Sequence, residues 1–285
     1  MGSKRKIAKP IVDYILAHNP NAKYVFDLFG GGGAMSFEFL QRKQIKKVVY
    51  NELNAGICEL LRKIRADGVT DDFYRWVSRS EFEAHKNDGT WYGGLLATCW
   101  SFGNNQKDYM FGAKIEEVKR LLHEIIVNKC DISRRAFAEQ MGVYIDDYYL
   151  QHTNIQKRRF AVMGVVKAQI GRCDLDQLQQ LEISNKSAFD VAITTPIAET
   201  IIYLDPPYAN TARYAKDVCH TGLMEYIYKS QYKIYVSSYE FNLPCVFETS
   251  HRSSLSATNN SKKVIERLFC NKSEQIQGNL FGAAT

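Results

Sequence analysis

The stretch KYVFDLFGGGGAMSFEFLQRK, Lys23 to Lys43, decides how the rest of the chain is read. KYVFDLF is short, largely apolar and rich in β-branched and aromatic residues, the pattern of a strand buried on both faces. Four consecutive glycines, Gly30 to Gly33, follow it. With no side chain in the way, the backbone there can turn sharply and come close to a ligand. AMSFEFLQRK then has the composition of a helix. KKVVYNEL, Lys46 to Leu53, reads as a second strand that ends in an acid, and NAGICELLRKIRADG as an amphipathic helix stopped by Gly68. Strand, glycine turn, helix, strand, helix is the opening of a parallel α/β sheet.

The alternation stops near Thr70 and does not return before Arg172; aromatics, amides and basic clusters fill the interval. DLDQLQQLEISN, Asp174 to Asn185, reads as a short helix leading into a strand. ETIIYL, Glu199 to Leu204, is a buried strand, and YKIYVSSYE, Tyr232 to Glu240, is another, its SSYE end read as a sheet edge. VIERLFCNK, Val264 to Lys272, is the last strand, and the tail SEQIQGNLFGAAT has no periodicity. The expected organisation is a sheet domain built from residues 1–69 and 173–285, with an insertion at 70–172.

Composition narrows the class. In 285 residues no apolar run approaches the length of about 20 that crosses a bilayer, and MGSKRKIAKP lacks the apolar stretch of a signal peptide. The seven cysteines form no CxxC pair, which favours reduced thiols in a cytoplasm over disulfides or zinc, and the six histidines show no ligand spacing, so no metal is expected. A net charge of +6 permits an anionic partner without demanding one.

Two features carry chemistry. Glu52 stands at the tip of the second strand, about 20 residues beyond the glycines, where an acid commonly accepts hydrogen bonds from ribose hydroxyls. Glycine turn and acid together point to a nucleoside-containing cofactor. The G-x-G-x-x-G spacing of dinucleotide sites is absent, since Gly30 and Gly32 are followed by Met35, and no Gly-Lys-Ser/Thr makes a P-loop. S-adenosylmethionine (AdoMet), which needs no pyrophosphate cradle, suits this loop better. The second feature is YLDPPYAN, Tyr203 to Asn210. Paired prolines cannot continue a ladder, so the strand stops at Asp205 in a stiff loop of fixed carbonyl direction.

FDLFGGGG, the acid of NELN, a long insertion and then DPPY, in this order, resemble the DNA adenine-N6 methyltransferases of the Dam-like D12 class, alpha group, along nearly the whole chain. The resemblance implies a Rossmann-like AdoMet-dependent methyltransferase sheet with an inserted, mainly helical target-recognition domain. It implies Asp205, Pro206, Pro207 and Tyr208 as catalytic residues: two acceptors for the amine hydrogens of adenine, and a ring stacked on a base that has left the helix. It implies Lys4, Asp27, Phe29, Gly30, Gly32, Glu52 and Asp205 around AdoMet, with Ser187, Phe189 and Asp190 as candidates for its adenine ring. Double-stranded DNA and AdoMet are the implied partners, a cognate restriction endonuclease is a further candidate partner, and the cytoplasm of a bacterium, or of a phage's host, is the implied location.

In the insertion, Asn104, Asn105 and Gln106 are of the type that pairs with adenine edges, and Lys157, Arg158 and Arg159 open a helical stretch able to read guanine or hold phosphate. Arg134 and Arg135 are weaker candidates, and TARYAKD, Thr211 to Asp217, could close over the target. An RNA or protein-amide methyltransferase of similar fold, and an inactive DNA-binding relative, stay open as alternatives.

Overall fold

The computed structural model describes residues 4–102, 105–152, 179–206, 220–252 and 263–272. Seven strands form one sheet in the order β3-β2-β1-β4-β5-β7-β6. These are β1 (Tyr24–Asp27), β2 (Lys47–Asn51), β3 (Leu181–Ser184), β4 (Thr200–Leu204), β5 (Lys233–Ser238), β6 (Cys245–Arg252) and β7 (Lys263–Cys270). The first five are mutually parallel, while β7 runs antiparallel to β5 and β6 antiparallel to β7. The α/β sheet expected from the sequence is therefore present, mostly parallel, with an antiparallel hairpin at one end.

The reading of SSYE as a sheet edge is corrected. β5 is interior, hydrogen-bonded to β4 on one side and β7 on the other. The edge is β6, CVFETSHR, which the sequence did not announce. An edge strand needs few apolar residues, and here only Val246 and Phe247 pack against the core, next to a register irregularity between Cys245 and Phe247.

α1 (Ala8–Ala17) buries Ala8, Ile11, Val12, Ile15 and Leu16 and carries Pro10 in its first turn, where a missing amide hydrogen costs nothing. It packs with α2 (Ala34–Leu40) on the sheet face that includes Val25, Tyr203, Leu268 and Cys270. The opposite face holds Phe26, Ile202 and Ile234 against Leu223 and Ile227 of a late helix, His220–Lys229. α3 (Ala55–Asp67) starts on Asn54, whose side chain accepts from the Ile57 amide, and closes at Gly68.

Between α3 and β3 the described residues are helical: α4 (Arg79–His85), α5 (Trp91–Cys99), α6 (Glu116–Asn128), α7 (Asp131–Met141) and α8 (Asp147–His152); the late helix is α9. Residues just past the expected boundary at 69/70 share a core with the sheet domain, since Leu60 and Ile64 of α3 lie with Phe73, Val77, Phe82, Leu95, Leu96 and Trp100. Leu121, Ile125, Phe137 and Ile145 form a second, smaller core. The helix expected from Asp174 lies mostly outside the described residues. No helix among the described residues is long and apolar enough to cross a membrane.

α3 and α5 touch through glycines. A Cβ on Gly94 would stand 2.0 Å from the Gly56 carbonyl oxygen, and one on Gly56 would stand 2.9 Å from the Gly94 nitrogen. Backbone faces backbone, so neither side can yield. Gly94→Ala should lower stability by about 1–3 kcal/mol, the usual range for overpacking, as measured by urea unfolding. A wild-type midpoint would show that the helices can part without loss.

Candidate active site

The strand order reverses between β1 and β4: the chain leaves β1 towards β2 on one side and enters β4 on the other. In parallel sheets such a switch point opens a crevice at the carboxyl ends of the strands. The register sets Asp27 beside Tyr203, so the glycine turn after β1 and the Asp205-Pro206 step after β4 emerge at the same place.

The glycine turn divides into two uses. A Cβ on Gly30 would lie 2.2 Å from the Tyr50 ring, and one on Gly33 would lie 2.5 Å from that of Phe37; both glycines make room for the protein's own aromatics. Tyr50 Oη donates to the Gly31 carbonyl at 2.6 Å. Gly31 is different. Gly33 is also left-handed, at φ +75°, but Gly31, at φ +49°, has no atom nearer than 3.9 Å to a Cβ, so it is the open point of the turn, and Gly32 beside it is exposed. Phe29 packs at the edge of the core under the turn. Glu52 closes the loop, its Oε2 accepting from the Gly31 amide and its Oε1 from that of Asn54, each at 2.9 Å.

Asp27 is buried, at 1% exposure. Its Oδ2 accepts from Ser36 Oγ at 2.7 Å, and among the described residues its Oδ1 has no hydrogen-bond partner. Burial raises its carboxyl to about 7 against the pull of Ser36, and nearby Asp205 and Glu52 push the same way. Burial also raises Glu52, against its backbone amide donors. Asp205 keeps 25% of its side chain exposed and lies 3.3 Å from Lys4 Nζ. Burial lifts it to about 6; Lys4 opposes this and Glu266 adds to it.

Lys4 is buried just ahead of α1, with Nζ 2.5 Å from Glu266 Oε1. Burial alone would lower its pKa, but Asp205, Tyr203 and Glu266 overcome this and hold the ammonium above its ordinary range. Ser237 Oγ donates to the same Glu266 oxygen at 2.9 Å. Glu266 and Ser237 were not singled out in the sequence. An acid two residues before Leu268, in register with the core-facing positions of VIERLF, is the signal that could have found the first.

Asn51 ties three loops together. Its Nδ2 donates to the carbonyls of Leu28 and Lys186, and its Oδ1 accepts from the Lys186 amide. That holds the segment after β3 beside the glycine turn. Within this segment Phe189 is 38% exposed and its ring lies 5.5 Å from that of Tyr226.

The recognition candidates are placed unevenly. Gln106, in a left-handed conformation at φ +59°, accepts from Asn54 Nδ2 at 3.0 Å and donates its amide to Ser101 Oγ, so its loop hooks onto the start of α3, two residues past Glu52. Asn105 is occupied by its own turn: Oδ1 accepts from the amides of Lys107 and Asp108 and Nδ2 donates to Asp108. Arg134 is buried in ion pairs with Asp147 and Asp131. Pro207, Tyr208, Asn104, Lys157, Arg158, Arg159 and the TARYAKD loop lie outside the described residues.

A sheet of this order, with a glycine turn after β1, an acid at the tip of β2 and Asp-Pro at the tip of β4, defines a Rossmann-like methyltransferase. The family model of the D12 class N6 adenine-specific DNA methyltransferases matches residues 1–269, and the chain belongs to that family. Its reaction is methylation of adenine N6 in DNA, and the methyl donor of the family is AdoMet. No curated protein matches the chain.

Asp27 binds its proton more tightly folded than unfolded. Its contribution to stability is complete below the ordinary aspartate range and is lost as pH rises through about 7. Asp27→Asn removes the charge that causes the loss. The variant should therefore gain stability relative to wild type as pH is raised from 5 to 8, measured by thermal unfolding without cofactor. A difference that stays constant over that range would contradict the assignment.

Proposed function

We propose that Asp205 and the Pro206 carbonyl grip the two hydrogens of an adenine amino group that has swung out of duplex DNA, beside AdoMet held by the glycine turn. The observation that carries this reading is the position of Asp205. It stands at the tip of β4, across the switch point from Gly31, partly open, and paired with a buried lysine.

The residues present fit AdoMet. Its sulfonium and ammonium are cationic, and Asp27, Glu52 and Asp205 bring carboxylates to one place, with an unpartnered buried oxygen on Asp27. Gly31 leaves the turn open where Glu52 reaches it. In this reading Glu52 accepts from the ribose hydroxyls, Asp27, Phe29, Gly30 and Gly32 line the methionine end, and Phe189 in the segment tied down by Asn51 offers a face to the adenine ring. When bound, AdoMet supplies an electrophilic methyl group on sulfur.

The chain's own part is to make a poor nucleophile usable. The adenine amine lone pair is delocalised into the ring. Two acceptors that draw on its hydrogens favour a more tetrahedral nitrogen and stabilise the positive charge that develops there. Asp205 does this only when ionised, and it need not keep the proton, which the methylated amine gives up to water. Pro206 has no amide hydrogen, and because Pro207 follows it, its ψ is held in the extended range, which aims its carbonyl. Tyr208 supplies a stacking face for the extruded base. Residues 70–172 serve as the target-recognition part of the chain, its loop between Ser101 and Tyr109 tied through Gln106 to Asn54, and Asn104, Asn105, Lys157, Arg158 and Arg159 contact the DNA.

Asp205→Ala should cut transfer of labelled methyl from AdoMet into DNA by about 100- to 1,000-fold or more, while AdoMet still binds by calorimetry. Digestion of the wild-type product should give N6-methyladenine. Near-full activity of the variant would end the two-acceptor reading. Because the active form is the carboxylate, single-turnover rates should fall as pH drops below about 6. Glu52→Gln should weaken AdoMet binding by about ten-fold through loss of a charge-assisted acceptor; unchanged affinity would move the ribose elsewhere.

A further inference from the structure

Glu266 is a carboxylate at 2% exposure on β7, a strand remote in sequence from both cofactor and catalytic motifs. Burying a carboxylate is costly, and a lysine buried beside Asp205 could be neutralised by that residue alone. Lys4 instead stands between two acids, 2.5 Å from Glu266 Oε1 and 3.3 Å from Asp205 Oδ1. The tighter contact goes to the residue that lies deeper, and Ser237 of β5 donates to the same oxygen of that residue. The result is a relay of side chains from Ser237 through Glu266 and Lys4 to Asp205, crossing from the antiparallel hairpin to the tip of β4. Only Asp205 among the four keeps appreciable exposure; Ser237 is at 0%, Glu266 at 2% and Lys4 at 8%.

We propose that Glu266 is a positioning residue for methyl transfer: it anchors Lys4, so that the ammonium orients Asp205 while being shared between two carboxylates. The proposal rests on Asp205 being the amine acceptor. An ammonium given wholly to Asp205 would draw its electrons and make it a poorer acceptor; one held by Glu266 directs the carboxylate and leaves it basic. Among the described residues, the charged and titratable groups facing Asp205 are Lys4 from the N-terminal turn, Glu266 from β7, Asp27 from β1 and Tyr203 from β4. Of these, Glu266 raises the carboxyl of Asp205 and Lys4 lowers it.

The test compares wild type, Glu266→Gln, Ser237→Ala and Asp205→Ala in full-length protein. Single-turnover methylation of DNA is followed from pH 5 to 9, AdoMet affinity by calorimetry and folding by near-ultraviolet circular dichroism. Glu266→Gln should fold and bind AdoMet, and should lose on the order of ten-fold in single-turnover rate at pH 8 with little change in KM for DNA. Its acid limb should move to lower pH, because Asp205 then has Lys4 to itself. Ser237→Ala keeps the charge and loosens only its anchor, so it should lose about two- to five-fold in rate with the acid limb unmoved. If Glu266→Gln does not fold, that rate loss in Ser237→Ala supports the proposal and a wild-type rate there overturns it. A folded Glu266→Gln with wild-type rate and pH profile, or one whose rate falls without the shift, also overturns it. An inert Asp205→Ala beside such a result would remove only the role of Glu266, whereas an active Asp205→Ala would remove the two-acceptor reading as well.

Discussion

The parallel pairing of β1 with β4 is the constraint from which the site follows. Asp27 and Tyr203 are neighbours across the ladder, although 176 positions separate them in the chain. Parallel strands cannot be joined by a tight turn, so the chain between them is routed away, and both intervening strands, β2 and β3, lie on the β1 side of that pair. Both strands end at the same level. The glycine turn and the Asp-Pro step are therefore presented together by the sheet itself, whatever the intervening residues do.

What gathers there is an excess of negative charge. Among the described residues Asp27 is pushed by both Asp205 and Glu52, and Asp205 by Glu266, while the Lys4 ammonium pairs with Asp205 and Glu266 alone. A fold selected only for stability would thin out such a cluster, since desolvated like charges repel and each raises the others' proton affinity. The same surplus suits a site that receives a cation and must stabilise positive charge on nitrogen. Functional demand and local stability pull in opposite directions at this end of the sheet, and the apolar layers on its two faces supply the difference.

The sheet was legible because buried parallel strands leave short apolar runs bounded by glycine, proline or an acid, as at VFDLFGGGG, VVYNEL and IIYLDPP. β6 was not legible, because an edge strand exposes alternate residues and reads like a loop. The residues proposed for the site stood out where chemistry restricts the residue type, at the Gly30–Gly33 turn, Glu52 and Asp205. The sequence was opaque where a side chain serves another side chain. Glu266 and Ser237 matter through contacts made across hundreds of residues or between strands, and no local pattern records those. Of the four glycines, Gly30 and Gly32 were expected beside AdoMet. In the fold Gly30 and Gly33 accommodate Tyr50 and Phe37, a division set by packing that only the coordinates reveal.

The glycine contact between α3 and α5 has a bearing on how this architecture can diversify. Two backbones in direct touch act as a weld: α5 cannot be shimmed outward by larger residues without losing its seat on α3, the helix that follows Glu52. If this segment reads DNA as proposed above, variation in the sequence read is channelled away from this joint, to loops and to the second small core around Leu121 and Phe137, which shares no residue with the first. A lineage of such enzymes would keep one hinge plate and change the key that hangs from it.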